Sequence, residues 1–331
     1  MRGQNMAVDQ RFQDLQSGGF SSGDVELPEG TASSKELAAV LSTSSSGLDF
    51  GLGGNTGMFL SGTVGMATFN GTLNSTGYEL TDYTLTAGVD TQVGAAFTVG
   101  VAAGFGESDA TVNDDRGSLA TTSMGAIFYA TADLGGGAFV NAKAGAYAVE
   151  FDLVRNVALT AETYLGNTTG TQYVAGLTAG KIYDLQGWTV SPVVSAYMSA
   201  TDVAGFTETD GNPLGAISVE DYTVENTWMS IGVNASKEFA TSGGAMVPNL
   251  KVAYISVSTD ASIAPAAFEE LPTFGTPIDS RGSEYVNVGL GLTYLADRSD
   301  AGSTAFGIGY DGIFADSYDA HRVSLTANIK F

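Results

Sequence analysis

Apolar and polar residues alternate one by one along most of this chain, from about residue 57 to the end. The clearest example closes the sequence, where the apolar positions are Val323, Leu325, Ala327, Ile329 and Phe331. Side chains of a β-strand point alternately to its two faces, so each such segment has one apolar and one polar face. The chain is therefore expected to fold almost entirely into β-strands.

The polar face of these strands is built from small residues. Between Val286 and Thr293 the aliphatic side chains alternate with asparagine, glycine and threonine. A soluble β-sandwich would instead carry an outer face rich in lysine, glutamate and threonine. Aliphatic residues on one face and small polar residues on the other are typical of a transmembrane β-barrel, because lipid requires every backbone group to pair within a closed sheet.

Composition and charge exclude several other classes of protein. The chain has 36 acidic and 13 basic residues, a formal net charge of -23, no cysteine and one histidine. Thiolate and multi-histidine metal sites are therefore excluded, no cofactor is expected, and nothing would neutralise the phosphates of a nucleic acid. A mean hydropathy of +0.10 is too apolar for a disordered acidic chain. No run of about 18 apolar residues could form a membrane helix.

Twelve alternating segments follow one another, and bacterial outer-membrane barrels have an even number of strands. The predicted strands lie near residues 57–69, 82–91, 95–106, 119–133, 138–151, 170–183, 188–201, 227–239, 245–257, 285–296, 304–310 and 321–331. Short turns alternate with longer loops, which are predicted near residues 70–81, 107–118, 152–169, 202–226, 258–284 and 311–320. In an antiparallel barrel all the long loops then share one end, and both termini share the other. We expect the short turns and the C-terminus in the periplasm and the long loops outside the cell.

Most of the negative charge falls in the predicted long loops, to which Asp82 and Asp311 are also assigned. The simplest interpretation is a solvated outer surface that the charge keeps soluble. Calcium binding through Asp114 and Asp115, or through Asp210, is the alternative. Because no stretch matches the ligand spacing of an EF-hand, no metal site is predicted.

The N-terminal part of the chain departs from the alternation. The residues at helical spacing are Val8, Arg11, Phe12 and Leu15. A stretch rich in glycine, serine and glutamate follows at residues 17–33 and has the composition of a linker. We expect residues 1–56 to form a helix and linker and residues 57–331 to form the barrel. No signal peptide is expected within residues 1–10.

Several stretches resemble the autotransporter β-domain, the translocator of type V secretion. They are Thr84-Leu85-Thr86-Ala87-Gly88-Val89-Asp90, Phe97-Thr98-Val99-Gly100-Val101, Gly187-Trp188-Thr189-Val190-Ser191-Pro192, Met246-Val247-Pro248-Asn249-Leu250-Lys251 and the terminal Phe331. The resemblance covers about residues 55–331. It implies a covalent passenger that precedes the barrel and is carried to the cell surface, and a helix that occupies the lumen.

The resemblance also implies partners and site residues. The pore-helix residues are Val8, Asp9, Arg11, Phe12, Asp14 and Leu15, with residues 34–42 as an alternative occupant of the pore. The assembly signal read by the barrel assembly machinery is Val323, Leu325, Ala327, Ile329 and Phe331. The other expected partners are outer-membrane lipids and lipopolysaccharide, and the barrel is expected to be a monomer.

Charged residues predicted on the polar face of the strands are candidates for charges inside the lumen. They are Asp90, Lys143, Lys237, Lys251, Arg322 and Lys330. Unpaired charges in a narrow pore are costly, so the cations could pair with Asp9 or Asp14 of the helix or with Asp90.

An enzyme is not expected. Gly19-Phe20-Ser21-Ser22-Gly23 fits G-x-S-x-G, but it follows a helical pattern rather than a strand. His321 is the only imidazole, and Ser324 would lie on the opposite face of its strand. A minor alternative is that the chain cleaves its own passenger inside the pore, with Asn5 as the asparagine involved.

The sequence therefore predicts an outer-membrane translocator and anchor whose lumen is closed by the N-terminal helix after export. A free-standing diffusion channel is the alternative, and an outer-membrane hydrolase is a more remote one.

Overall fold

The chain folds into a closed barrel of twelve antiparallel strands. A computed structural model describes residues 56–71, 76–261, 264–268, 274–276, 284–296, 304–316 and 318–330. The strands are β1 (Thr56–Phe69), β2 (Tyr78–Val93), β3 (Phe97–Val112), β4 (Gly117–Gly135), β5 (Ala138–Val157), β6 (Glu162–Lys181), β7 (Trp188–Val203), β8 (Tyr222–Lys237), β9 (Gly244–Ala261), β10 (Glu284–Ala296), β11 (Thr304–Ala315) and β12 (Tyr318–Lys330). Each strand pairs with the next, and β12 pairs with β1. The predicted all-β, twelve-stranded barrel is confirmed.

The predicted N-terminal helix lies outside the described residues. Among the residues that are described, no helix is long and apolar enough to cross a bilayer.

The two faces of the barrel wall carry opposite chemistry. On β12, Val323 and Leu325 are 48% and 63% exposed, whereas Arg322 and Asn328 are 6% and 2% exposed. The same arrangement occurs on β2, where the apolar Leu85 is exposed and the threonines on either side of it are buried. A soluble protein buries its aliphatic residues and exposes its charges. Apolar residues outside and polar residues inside are the arrangement that a surrounding bilayer stabilises.

Several strands are longer at one end than the sequence predicted. β3 and β4 are joined by only residues 113–116, β5 and β6 by 158–161, and β11 and β12 by 316–317. The long loops predicted at residues 107–118, 152–169 and 311–320 were therefore wrong. Beyond the bilayer both faces of a hairpin meet water, so the hydrophobic alternation stops while the backbone pairing continues.

The two longest connections form a second sheet at this same end of the barrel. Its four antiparallel strands, which we call the loop sheet, are Phe206–Thr207, Ile217–Val219, Ala264–Phe268 and Phe274–Thr276. A single bridge between Leu165 and Thr209 joins β6 to the connection that follows β7. The predicted loops at 202–226 and 258–284 are thus partly folded.

An arginine holds the loop sheet against the β5–β6 hairpin. Arg155 Nε donates to Glu208 Oε1 at 2.8 Å, and its Nη2 donates to Glu208 Oε2 at 2.5 Å and to the Gly215 carbonyl at 2.8 Å. The hydrogen bond to Glu208 raises the pKa of the Arg155 guanidinium, against the lowering effect of its partial burial. The planar guanidinium matches the two carboxylate oxygens, which a lysine could not do.

The outward and inward faces are tested by a matched pair of substitutions on β8. Ile231 is 62% exposed on the outer face, and the adjacent Ser230 lines the lumen. We expect Ile231→Arg to destabilise the folded barrel in lipid by about 2–4 kcal/mol, because it places a charge against acyl chains. Ser230→Arg, which places the same charge in the wet lumen, should cost much less. The measurement is urea unfolding in phospholipid vesicles, and equal losses for the two variants would contradict the assigned faces.

Candidate functional site: the lumen of the barrel

The lumen contains an ion pair that crosses the seam between the last and first strands. An Arg322 guanidinium nitrogen lies 3.3 Å from Asp82 Oδ1, and each side chain is 7% exposed. Gly65 of β1 stands directly between them in the register. A Cβ atom at Gly65 would collide with the Asp82 carboxylate, so only glycine leaves room for the two side chains to meet across β1.

A second ion pair has the same construction three strands away. Lys251 Nζ lies 4.0 Å from Asp311 Oδ2, and Gly289 of β10 stands between them in the register. Asn287 also donates to Asp311 Oδ1 at 2.5 Å. Asp311 is therefore held by a cation and by an amide.

These two ion pairs form one continuous row around the inner wall, because Asp311 and Arg322 occupy opposed positions of β11 and β12. We call it the charged row, and its members in order are Lys251, Gly289, Asp311, Arg322, Gly65 and Asp82. It crosses six consecutive strands, β9 to β12 and then β1 and β2. The order cation, glycine, acid occurs twice along the row, so each cation has an acidic partner and the two charges of each pair cancel.

Sequence reasoning did not find these pairings. Asp82 and Asp311 were assigned to the long loops, and this was wrong, because both lie within strands and belong to the row of opposed inward positions. The partner of each cation is fixed by which residues face one another across glycine. That depends on the register of non-neighbouring strands, which no local pattern reports.

The remaining predicted lumen charges occupy different surroundings. Asp90 accepts a hydrogen bond from Tyr129 Oη at 2.8 Å, and Lys143 Nζ lies 4.6 Å from the ring centroid of Tyr197. Both residues are buried on the inner wall. Lys330 stands opposite Gly57 in the register, but its side chain lies outside the described residues.

Lys237 faces outward, which corrects its assignment to the lumen. It lies on the same side of β8 as Met229, Ile231 and Val233, all of which are exposed on the outer face. Its ammonium lies 5.5 Å from the ring centroid of Trp188, the residue opposite it on β7. A lysine near the end of a strand can lie on the lipid face because its long stem lets the charge reach the polar interface.

An apolar cluster lies on the inner face of the barrel, mainly on strands outside the charged row, which the sequence analysis did not expect. Buried side chains from β3 to β6 pack there with Phe59 of β1, and they are Ala102, Ile127, Tyr129, Tyr147, Val149 and Val174. The polar parity of β4 and β5 contains several of these bulky residues, so the signal was present in the sequence. The lining is therefore uneven: this cluster lies beside the charged Lys143, and a second apolar cluster that includes Tyr285 and Ile313 lies on strands of the charged row.

A cavity of about 400 Å³ lies in the lumen between β5 and β12. Lys143, Lys251 and Arg322 line it together with Asn141 and Asn234. The side-chain oxygens of Asn141 and Asn234 are buried without a hydrogen-bond partner within the part of the chain that the structure describes. These polar groups lie among apolar side chains such as Val174 and Ile313, so the cavity suits water or a partly apolar peptide segment.

Other predicted residues are placed as follows. Val323 and Leu325 of the assembly signal face outward, and the side chains of Ile329 and Phe331 lie outside the described residues. His321 is exposed, and its Nδ1 lies 2.8 Å from Tyr310 Oη. The pore-helix residues, residues 17–33, Asn5 and residues 34–42 also lie outside them.

The calcium alternative gains no support from the described residues. No group of three or more acidic or histidine side chains among them could hold a metal ion. Asp114, Asp115 and Asp210 have positive φ angles of 62°, 53° and 56°. Aspartate tolerates this backbone conformation better than most residues, which accounts for its use in these turns.

A closed barrel with an apolar outer face and a charged lumen defines an outer-membrane β-barrel protein. The sequence profile of the family described as "Autotransporter beta-domain" matches residues 58–311. The chain therefore belongs to the autotransporter β-domain family, and its fold indicates an outer-membrane location. A search of curated proteins finds no significant match.

Solved structures of autotransporter domains share this fold. The translocator domain of autotransporter NalP from Neisseria meningitidis matches with a TM-score of 0.65 and 13% identity, over 86% of this chain and 91% of that one. The beta domain of the Bordetella autotransporter Brka matches with a TM-score of 0.62 and 14% identity, over 84% and 100%. The transport unit of AIDA-I from Escherichia coli matches with a TM-score of 0.50 and 12% identity, over 98% of each chain.

The seam ion pair is tested by a double-mutant cycle. Arg322→Met should lower the free energy of unfolding by roughly 3 kcal/mol, because it leaves the buried Asp82 carboxylate without its cation. Asp82→Asn is measured alone as the second single variant, and its combination with Arg322→Met should recover most of this loss. The measurement is urea unfolding in detergent micelles, with Arg116→Gln in an exposed turn as the control. Strictly additive losses would show that the two groups do not interact.

Proposed function

We propose that this chain is the outer-membrane translocator and anchor of a passenger that precedes the barrel. The observation that carries the proposal is the position of the barrel ends. Gly57 stands opposite Lys330, so β1 begins and β12 ends at the same end of the barrel. Because the wall is closed, a passenger joined to β1 and displayed at the opposite end can reach it only through the lumen.

The orientation follows from the difference between the two ends. One end has the loop sheet and the β5–β6 hairpin that Arg155 connects to it. The other end has short turns and both barrel ends. We assign the first end to the cell exterior and the second to the periplasm, as in outer-membrane barrels generally.

We further propose that residues 5–16 fill the lumen as a helix. Its apolar residues Val8, Phe12 and Leu15 would lie on one stripe and match the apolar cluster of the lumen. Asp9 and Asp14 would then face cations of the lumen, where burial without a partner is costly. The mixture of apolar clusters and charged groups in the lining supports a helix that is only partly apolar.

The partners of the barrel are proposed on the same basis. The barrel assembly machinery would read β12, whose Val323 and Leu325 face outward next to the terminal residues. Phospholipid would contact the periplasmic half of the outer face and lipopolysaccharide the outer half, and a single barrel suffices for the function. No enzymatic role is proposed, because His321 lies on the lipid face and Ser324 lies on the opposite parity of the same strand.

Export is tested with an epitope reporter fused before Met1, behind a secretory leader. In intact cells the reporter should be digested by added protease and bound by antibody. The matched control is the same reporter appended after Phe331, which should stay protected in the periplasm. Protection of the N-terminal reporter in a correctly folded barrel, or exposure of the C-terminal one, would overturn the proposal.

Closure of the lumen is tested in planar bilayers. Removing residues 1–50 should raise the single-channel conductance clearly above that of the full chain, because the segment that obstructs the lumen is gone. A deletion of residues 17–33 alone serves as the control, since it removes the linker and keeps residues 5–16. An intact chain that already conducts like a porin would instead support the free-standing diffusion channel.

A further inference from the structure

Two lysines on the lipid face stand apart from the other basic residues of the barrel. Among the basic side chains that the structure describes on the twelve strands, only Lys181 and Lys237 face outward. Lys143, Lys251 and Arg322 face the lumen, and Arg155 contacts the loop sheet. In a chain with a net charge of -23, two outward cations on one side of the barrel are a distinctive feature.

The two lysines occupy equivalent positions of neighbouring hairpins. Residues 183–185 continue the β6–β7 hairpin, and its last pair is Leu185 opposite Trp188, four positions after Lys181. Residues 239–241 continue the β8–β9 hairpin, and its last pair is Thr241 opposite Gly244, four positions after Lys237. Both lysines therefore lie at a similar distance from the short-turn end of the barrel.

Each lysine is followed two positions later by an aromatic residue on the same face. Lys181 Nζ lies 5.3 Å from the ring centroid of Tyr183, and Lys237 Nζ lies 5.8 Å from that of Phe239. Both rings are exposed, as is the indole of Trp188, which lies opposite Lys237. The result is two lysine–aromatic pairs on adjacent hairpins with a tryptophan between them.

The acidic residues at the short-turn end of these hairpins, Asp184 and Glu238, do not share that face. Asp184 lies between two outward positions and accepts a hydrogen bond from the Gly187 amide at 3.0 Å. Glu238 likewise lies between Lys237 and Phe239 in the alternation. The outer face of this region is therefore cationic and aromatic.

We infer that the outer face of these two hairpins binds the headgroup of an anionic glycerophospholipid. The ammonium groups would contact the phosphate, and the aromatic rings and lysine stems would contact the glycerol and the upper acyl chains. The choice of lipid rests on the proposed orientation, which places the short-turn end in the phospholipid leaflet. Binding does not require export, so the two proposals can fail separately.

The chain allows a direct test, because it has two tryptophans and only Trp188 is on this face. Trp228→Phe leaves Trp188 as the sole reporter. The full chain is reconstituted in phosphatidylcholine vesicles that contain one brominated lipid, either phosphatidylglycerol or phosphatidylcholine, with bromine near the carboxyl end of the acyl chain. Bromine quenches tryptophan on contact, so quenching measures which lipid occupies the site.

We expect brominated phosphatidylglycerol to associate about fivefold more strongly than brominated phosphatidylcholine, the factor that one lysine near an anionic surface provides. In the Trp228→Phe background, Lys181→Gln with Lys237→Gln should reduce the ratio towards one. Lys181→Arg with Lys237→Arg should keep it, and so should Arg116→Gln, which removes a cation at the other end. Folding of each variant is checked by heat-modifiable migration in gels.

Three outcomes would overturn the inference. The first is equal quenching by the two lipids in the parent protein, and the second is a preference that survives the double glutamine substitution. The third is stronger relief of quenching by unlabelled lipopolysaccharide than by unlabelled phosphatidylglycerol at equal phosphate, which would assign the site to the other leaflet's lipid. Relief by phosphatidylglycerol alone would support the glycerophospholipid.

Discussion

The pairing of β12 with β1 is the constraint on which the rest of the structure depends. An open edge in a bilayer leaves backbone groups without partners, at a cost of several kcal/mol for each group. The seam runs from Gly57 opposite Lys330 to Phe69 opposite Tyr318, so segments from the two ends of the barrel sequence must meet in one register. A shift of one residue would turn every lipid-facing side chain of β12 into the lumen.

The charged row reinforces this register from inside the barrel. Arg322 reaches Asp82 only where Gly65 stands between them, and a slipped seam would place a side chain in that gap. Backbone hydrogen bonds are alike at every register, whereas an ion pair across a glycine fits only one. The row thus distinguishes the correct closure of the sheet from its near alternatives.

Much of the fold could be predicted because lipid imposes its pattern on the sequence directly. Every lipid-facing position must be apolar, so strand number and parity are visible in residues such as Val323 and Leu325. Outside the bilayer this requirement ends, and the hairpin extensions and the loop sheet left no such trace. The ion pairs of Asp82 and Asp311 were missed for another reason, since they depend on the register of strands distant in sequence. Lys237 was wrongly assigned to the lumen because it is charged, although its position in the alternation places it on the same face as the apolar Ile231 and Val233.

The uneven lining of the lumen distinguishes one rotational setting of an enclosed helix from another. A pore with uniform lining would hold a helix at any angle about the barrel axis. Here the charged row runs along β9 to β2 and the cluster around Tyr147 and Val149 lies on β4 and β5, so the helix proposed for residues 5–16 would favour one rotational setting. Its first and last residues would then be directed to particular points on the rim. Side chains deep inside the barrel would thereby set the direction in which a tethered segment leaves the mouth.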